Sequence, residues 1–259
     1  RVSNQYLVGL SGLISSINYW RMGRLVFPLG LALAIGSIIG ATLIANLTAN
    51  KLSVSSYVGI FGLLVLVLGG FLLYQISPRG QASKKAAKAA VQAFEKAVKE
   101  KKDTAAQGVK ITKWGWTKIH FTFYGAEFTF NPLTAVLGGL IIAGISALIG
   151  VGGGFLLVPF MTAFVGVPMF IAAGTSAFAV LVSMITSIFN YMVIKGVIVS
   201  WSLVGIELVG IFIGSMVGPR TSKYIPEKWL QVLFILLSFY VGIGYTTKGF
   251  LGKSILPGM

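Results

Sequence analysis

Long apolar runs separated by short polar breaks make up most of this chain. Crossing about 30 Å of hydrocarbon takes about 20 residues in a helix. Runs of that kind fall at 5–20, 25–47, 54–76, 132–149, 176–194, 198–218 and 229–247. A further apolar piece, Phe155 to Val165, is too short to span alone. The runs are glycine-rich and lack period-two alternation, which predicts helices rather than barrel strands. Between 78 and 131 the pattern changes. After the break at Ser77-Pro78-Arg79-Gly80, a polar stretch to about Lys102 carries Ala87, Val91, Phe94 and Val98 at helical spacing. From Val109 the pattern is strand-like. Ile119, Phe121 and Phe123 alternate with His120, Thr122 and Tyr124, and Gly125 turns the chain into Glu127–Phe130. This predicts a helix and a β-hairpin between two membrane halves.

Composition strengthens the membrane reading. Of 259 residues 56% are apolar and 10% charged, against about a quarter charged in soluble domains. The mean hydropathy is +0.87. There is no cysteine, which excludes thiol catalysis, disulfides and Cys-ligated metals, and the lone histidine is His120. No metal site and no cofactor is expected. Lys and Arg number 21 against 6 acids. Residues 79–118 hold 11 of the cations and 3 of the acids. Basic residues collect on the cytoplasmic side. With 78–131 inside, 16 cations fall inside and 5 outside. The C-terminus is then outside. That rule accounts for the charge without nucleic acid, leaving lipid headgroups as the expected contact of the basic insert, with Trp114 and Trp116 suited to the interface.

The halves repeat at an offset of 172–174. Ser11–Tyr19 (SGLISSINY) matches Ser183–Tyr191 (SMITSIFNY), and Gly23 answers Gly196. Gly36-x-x-x-Gly40 matches Gly210-x-x-x-Gly214, a spacing that lets helices approach closely. Ser53–Tyr74 aligns with Ile225–Tyr245. Under the charge-based orientation the repeats are inverted, the arrangement behind alternating access. The sequence reads as an all-α polytopic membrane protein with two inverted-topology repeats and discontinuous, re-entrant helices. It divides into a first membrane repeat (1–77), a cytoplasmic basic α+β insert (78–131) and a second membrane repeat (132–259). Asn131 to about Ala173 has no mate after Arg1, so the repeat predicts about 40 further residues upstream.

Gly150–Gly154 interrupts an apolar run as a discontinuous helix does. Amides at Gly152, Gly153, Gly154 and Phe155 would offer an anion the start of the next helix. Without a following Gly-Lys-Ser/Thr it is not a nucleotide loop, and tight packing is its alternative role. Gly174-Thr175-Ser176 reads as a second break, matched by Val2-Ser3-Asn4; Thr175 and Ser176 could donate to an anion or serve as caps. Asn18 and Asn190 occupy matched positions before tyrosines, suiting a gate, a substrate contact or helix-to-helix hydrogen bonding. Glu207 is the only acid within a predicted span. Burial there would make it a proton-coupling candidate or a protonated hydrogen-bonding group. One carboxylate is too little for an intramembrane enzyme.

Gly150-Val-Gly-Gly-Gly-Phe-Leu-Leu-Val-Pro159, Gly174-Thr-Ser-Ala-Phe178 and Gly214-x-x-x-Gly218-Pro219-Arg220 together resemble the TauE/SafE sulfite exporter family. Ser3-Asn4 and Asn18-Tyr19-Trp20-Arg21-x-Gly23 resemble its first repeat. The likeness covers nearly all of both membrane halves. It implies a multi-pass plasma-membrane permease for small sulfur anions such as sulfite or sulfoacetate. The expected site is near the midplane, formed by Gly152–Phe155, Thr175, Ser176, Ser3 and Asn4. A channel or carrier for another small anion, or a scaffold or sensor acting through the basic insert, are the other classes considered.

Overall fold

The computed structural model describes residues 2–48, 54–77, 85–100, 105–149, 154–189 and 201–256. Three helices come first: α1 (Val2–Arg21), α2 (Phe27–Thr48) and α3 (Val54–Ile76). A polar helix α4 (Lys85–Lys99) follows, then strands β1 (Lys110–Lys113), β2 (Ile119–Phe123) and β3 (Ala126–Phe130). Helix α5 (Pro132–Ile149) and the short α6 (Gly154–Phe160) come next, and α6 runs into a π-helical turn, Met161–Val165. The chain ends with α7 (Met169–Phe189), α8 (Trp201–Ser222) and α9 (Glu227–Leu251). Among the described residues, α7 and α9 are long and apolar enough throughout to cross a membrane.

The outside of the molecule is apolar. On α2 the residues Phe27, Leu31, Ile35, Ile39 and Leu43 recur every fourth position and are all exposed, while Leu29 and Leu33 on the other side are buried. A helix that is apolar all round needs an apolar solvent.

The packing has a simple plan. Helices α1 and α7 are antiparallel, with Gly9 against Met184 and Ile188, Gly12 against Leu181, and Tyr19 against Gly174. Helices α3 and α9 are also antiparallel, through Gly59 on Phe250, Gly62 on Thr246 and Gly69 on Ser238. Helix α2 crosses α5 at a backbone-to-backbone approach. A Cβ on Gly36 or Gly40 would meet the carbonyls of Val136 and Leu140.

The polar segment is fastened to the helix ends rather than hung from them. Helix α1 ends in a Schellman motif: Gly23 adopts φ 66°, the Gly23 amide donates to Trp20 O at 2.9 Å, and the Arg24 amide to Tyr19 O at 2.9 Å. The freed Gly23 carbonyl accepts from the Val109 amide at 2.8 Å. Gly108 lies so close to Gly23 that neither tolerates a Cβ.

The expected hairpin is present as β2 and β3, joined at Tyr124 (φ 49°) and Gly125 (φ 75°), both positive as a tight hairpin turn requires. The correction is that β1 pairs antiparallel with β2, making a three-stranded sheet ordered β1-β2-β3. Alternation works as the sequence predicts: Ile119, Phe121 and Phe123 are buried, and Phe94 of α4 packs on Phe123 and Phe170. One apolar core therefore runs from Leu29 and Leu33 of α2 into Phe94 and Phe121.

Candidate functional site

The turn between α1 and α2 places Arg24 in the interior, 1% exposed. Its Nη1 donates to the Pro219 carbonyl (3.4 Å) and to Ser222 Oγ (3.3 Å) at the end of α8. The guanidinium lies over the rings of Tyr19, Phe170 and Phe94, at 4.8, 5.2 and 5.6 Å from their centroids. Burial pushes the Arg24 guanidinium below its ordinary range, and nearby Tyr19 and Glu227 oppose that shift.

Glu227 opens α9 and is also buried. Its Oε1 accepts from the Met169 amide at 2.5 Å and from Gln231 Nε2 at 3.4 Å, while its own amide donates to Glu95 Oε1 of α4 at 3.0 Å. A carboxylate thus sits on the first residue of α7, where a helix N-terminus favours negative charge. Among the described residues, Arg24 Nε and Glu227 Oε2 have no hydrogen-bond partner. These two residues tie α1, α4, α7, α8 and α9 together at one end of the bundle.

The apolar runs 5–20 and 25–47 leave Arg24 between two predicted spans, and Glu227 falls just before the run 229–247. The available signal was local. Arg24 directly precedes the apolar run Leu25-Val26-Phe27, and Glu227 follows Pro226 where an acid favours a helix start. The long-range partner of neither is encoded in any spacing.

The expected break at Gly174-Thr175-Ser176 is corrected by the structure. Helix α7 starts at Met169 and continues through all three residues. Thr175 is fully buried and its Oγ1 accepts from the Val26 amide at 3.1 Å, supplying the turn before α2 with a partner. Ser176 Oγ donates back to the Ala173 carbonyl at 3.0 Å. Gly154 rests against Val180. Ser176 and Val180 share a face of α7 one turn apart, about 6 Å along the axis, so the start of α6 and Ser176 are neighbours. Phe155 lies within α6, and Gly152, Gly153 and Asn190 lie outside the described residues.

A single cluster of Thr175, Ser176, Ser3 and Asn4 is likewise corrected. Because Tyr19 lies on Gly174 and Gly9 on Met184, antiparallel packing puts Asn18 at the height of Thr175. Ser3 and Asn4 occupy the opposite end of α1, about 20 Å away at 1.5 Å per residue. Asn18 donates from Nδ2 to the Ile14 carbonyl at 2.9 Å. It also lines a cleft of about 380 Å³ between the ends of α1 and α8, with Arg21, Met22, Arg220, Lys223 and Tyr224. Glu207 is exposed on α8, so the burial expected for it is not found within this chain. His120 pairs through Nδ1 with Thr129 Oγ1 at 2.8 Å on the sheet surface. Among the described residues no group of His, Asp and Glu could hold a metal ion.

An apolar-surfaced bundle with a short buried helix in its interior and a polar segment clasped to one end defines a multi-pass membrane protein. The chain belongs to the sulfite exporter TauE/SafE family, whose model matches residues 2–245. It is similar to a "Probable membrane transporter protein" of Haemophilus influenzae, with 30% identity over 131 residues, covering 46% of this chain and 49% of that protein. The chain thus aligns with about half the length of this curated relative. No solved structure matches it.

Proposed function

We propose that the protein is a carrier for small sulfur oxyanions, sulfite and organosulfonates such as sulfoacetate, working by alternating access of two inverted repeats. The observation that carries this reading is the pairing of sequence-matched helices. Segments of α1 and α7 that match in sequence run antiparallel against each other, and so do α3 and α9. Two units related by inversion would produce such pairs, and inversion lets one pathway open to either side. The family name supports a sulfur anion as cargo.

The anion would travel along the α1–α7 seam. Toward one end it would meet Asn18, Thr175 and Ser176, and toward the other Ser3 and Asn4; the amides of Gly152–Phe155 and the Asn190 side chain are further proposed contacts. Glu207 is the candidate for proton coupling, and the membrane potential is the other energy source. The excess of cations at the polar-segment end supports a cytoplasmic location for 78–131. A scaffold role for that segment is less well supported, since Phe94, Phe121 and Phe123 are part of the helix core.

Counterflow tests the carrier reading. Proteoliposomes preloaded with unlabelled sulfite should take up labelled sulfite faster than empty ones, with saturation. Sulfoacetate, thiosulfate and sulfate in the lumen would rank the cargo. Equal uptake into loaded and empty vesicles would point to a pore, and absence of flux for every anion would remove the assignment.

A further inference from the structure

The cleft between the ends of α1 and α8 carries an unbalanced charge. Three of its six lining residues, Arg21, Arg220 and Lys223, are cations. Among the described residues the one side-chain ion pair is Lys96 with Glu100 on α4, so none of the three is neutralised by a carboxylate. Arg24 lies behind the same helix end, held on Pro219 and Ser222, and is not counted because Glu227 interacts with it. Helix ends offset part of this. Each C-terminus is equivalent to about half a negative charge, and α1 and α8 both finish here. Two such ends cancel about one of the positive charges, leaving a concave surface that favours an anion.

The surroundings point to an anion carried on a lipid. Tyr224 in the cleft lining and Trp20, next to Arg21 in α1, are exposed at 68% and 69%, as amphipathic rings are at a membrane–water boundary. On α1, Ile17 and Leu13 lie one and two turns from Arg21. On α8, Val217 and Ile213 lie one and two turns from Arg220. All four are exposed, and their spacing continues the cleft as two apolar stripes along the helices. A freely soluble ion has no use for apolar stripes, whereas acyl chains do. Basic pockets between membrane helices bind acidic headgroups in this way.

We propose that this cleft binds an acidic phospholipid. Arg21, Arg220 and Lys223 hold the phosphate oxygens, and the acyl chains lie along Leu13–Ile17 and Ile213–Val217. The site adjoins the proposed anion path at Asn18, which lines the cleft, but its three cations lie off that path, and it stands whichever cargo the protein carries.

The test uses delipidated protein in neutral detergent, titrated with phosphatidylglycerol, phosphatidylcholine or inorganic phosphate, with bound lipid counted by native mass spectrometry and stability followed by thermal unfolding. The wild type should retain phosphatidylglycerol over phosphatidylcholine. Arg21→Gln/Arg220→Gln/Lys223→Gln should weaken that retention at least tenfold. Lys88→Gln/Lys99→Gln/Lys110→Gln, which removes three exposed lysines elsewhere, should leave it unchanged. Arg21→Lys/Arg220→Lys keeps the charge and should keep the lipid, which guards against a folding defect in the neutral variant. Equal weakening by both triple variants would reduce the effect to general surface charge and overturn the site. Stabilisation by inorganic phosphate matching that by phosphatidylglycerol would overturn the lipid assignment in favour of a free oxyanion, and absence of any selectivity in the wild type would overturn both.

Discussion

Helices α2 and α8 carry the same glycine spacing in matched stretches of sequence, yet their surroundings are opposite. Gly36 and Gly40 of α2 are pressed against the backbone of α5, so close that any side chain would collide with the Val136 and Leu140 carbonyls. Among the described residues, nothing lies within 4 Å of where a Cβ would stand on Gly210, Gly214 or Gly218 of α8. The contrast extends to their neighbours: Leu33 of α2 is fully buried, while Glu207, near the matching position on α8, is exposed. Small residues permit close approach, but a partner helix has to be there to use it. The exposure of Glu207 is thus a property of what lies beside α8, not of its own sequence.

The sharpest way to break that comparison is to fill both grooves. Gly40→Leu should destabilise the fold by ~3 kcal/mol, the upper part of the overpacking range. Gly214→Leu should stay within about 0.5 kcal/mol, as at an unconstrained surface. Denaturation in detergent measures both, and equal losses would mean the α8 face is occupied. A smaller effect is expected where α7 holds the start of α2. Thr175→Val keeps the shape but strips the Val26 amide of its acceptor, which should cost about 1–3 kcal/mol; Thr175→Ser should restore most of it. If Thr175→Val folds normally yet halts anion exchange, the hydroxyl serves the cargo instead. The smallest structural effect belongs to Glu207→Gln, with about 0.5 kcal/mol or less expected from an exposed position. Its use is functional: loss of pH-gradient dependence with exchange intact would identify the coupling group.

Much of the fold was legible because apolar runs and turn residues are local signals. The boundaries of α2, α3 and α5 fall within two residues of the expected runs, and the Phe121–Phe123 alternation and the Tyr124-Gly125 turn are where the pattern puts them. Helix α7 was misjudged at its start because Gly174-Thr175-Ser176 looks like a break. In the fold, Thr175 is satisfied by the Val26 amide and Ser176 by its own helix, so neither interrupts it. Strand character from Val109 is legible, but the pairing of the short, lysine-rich β1 with β2 is not, because nothing in Lys110–Lys113 specifies a partner. The Arg24 and Glu227 junction was illegible for the same reason. Its contacts reach across nearly 200 positions of sequence, from Arg24 to Pro219 and Ser222, and each residue alone resembles an ordinary charge at a membrane boundary.

The central claim is that one pathway along α1 and α7 opens alternately to the two sides. The chain has no cysteine, so single replacements report without background. Asn18→Cys and Asn190→Cys, at sequence-matched positions in the two halves, should be labelled in proteoliposomes by a membrane-impermeant thiol reagent applied from either side, with and without sulfite. Alternating access predicts that sulfite shifts the two labelling rates in opposite directions. Both sites labelled at constant rates, from either side and regardless of sulfite, would contradict it.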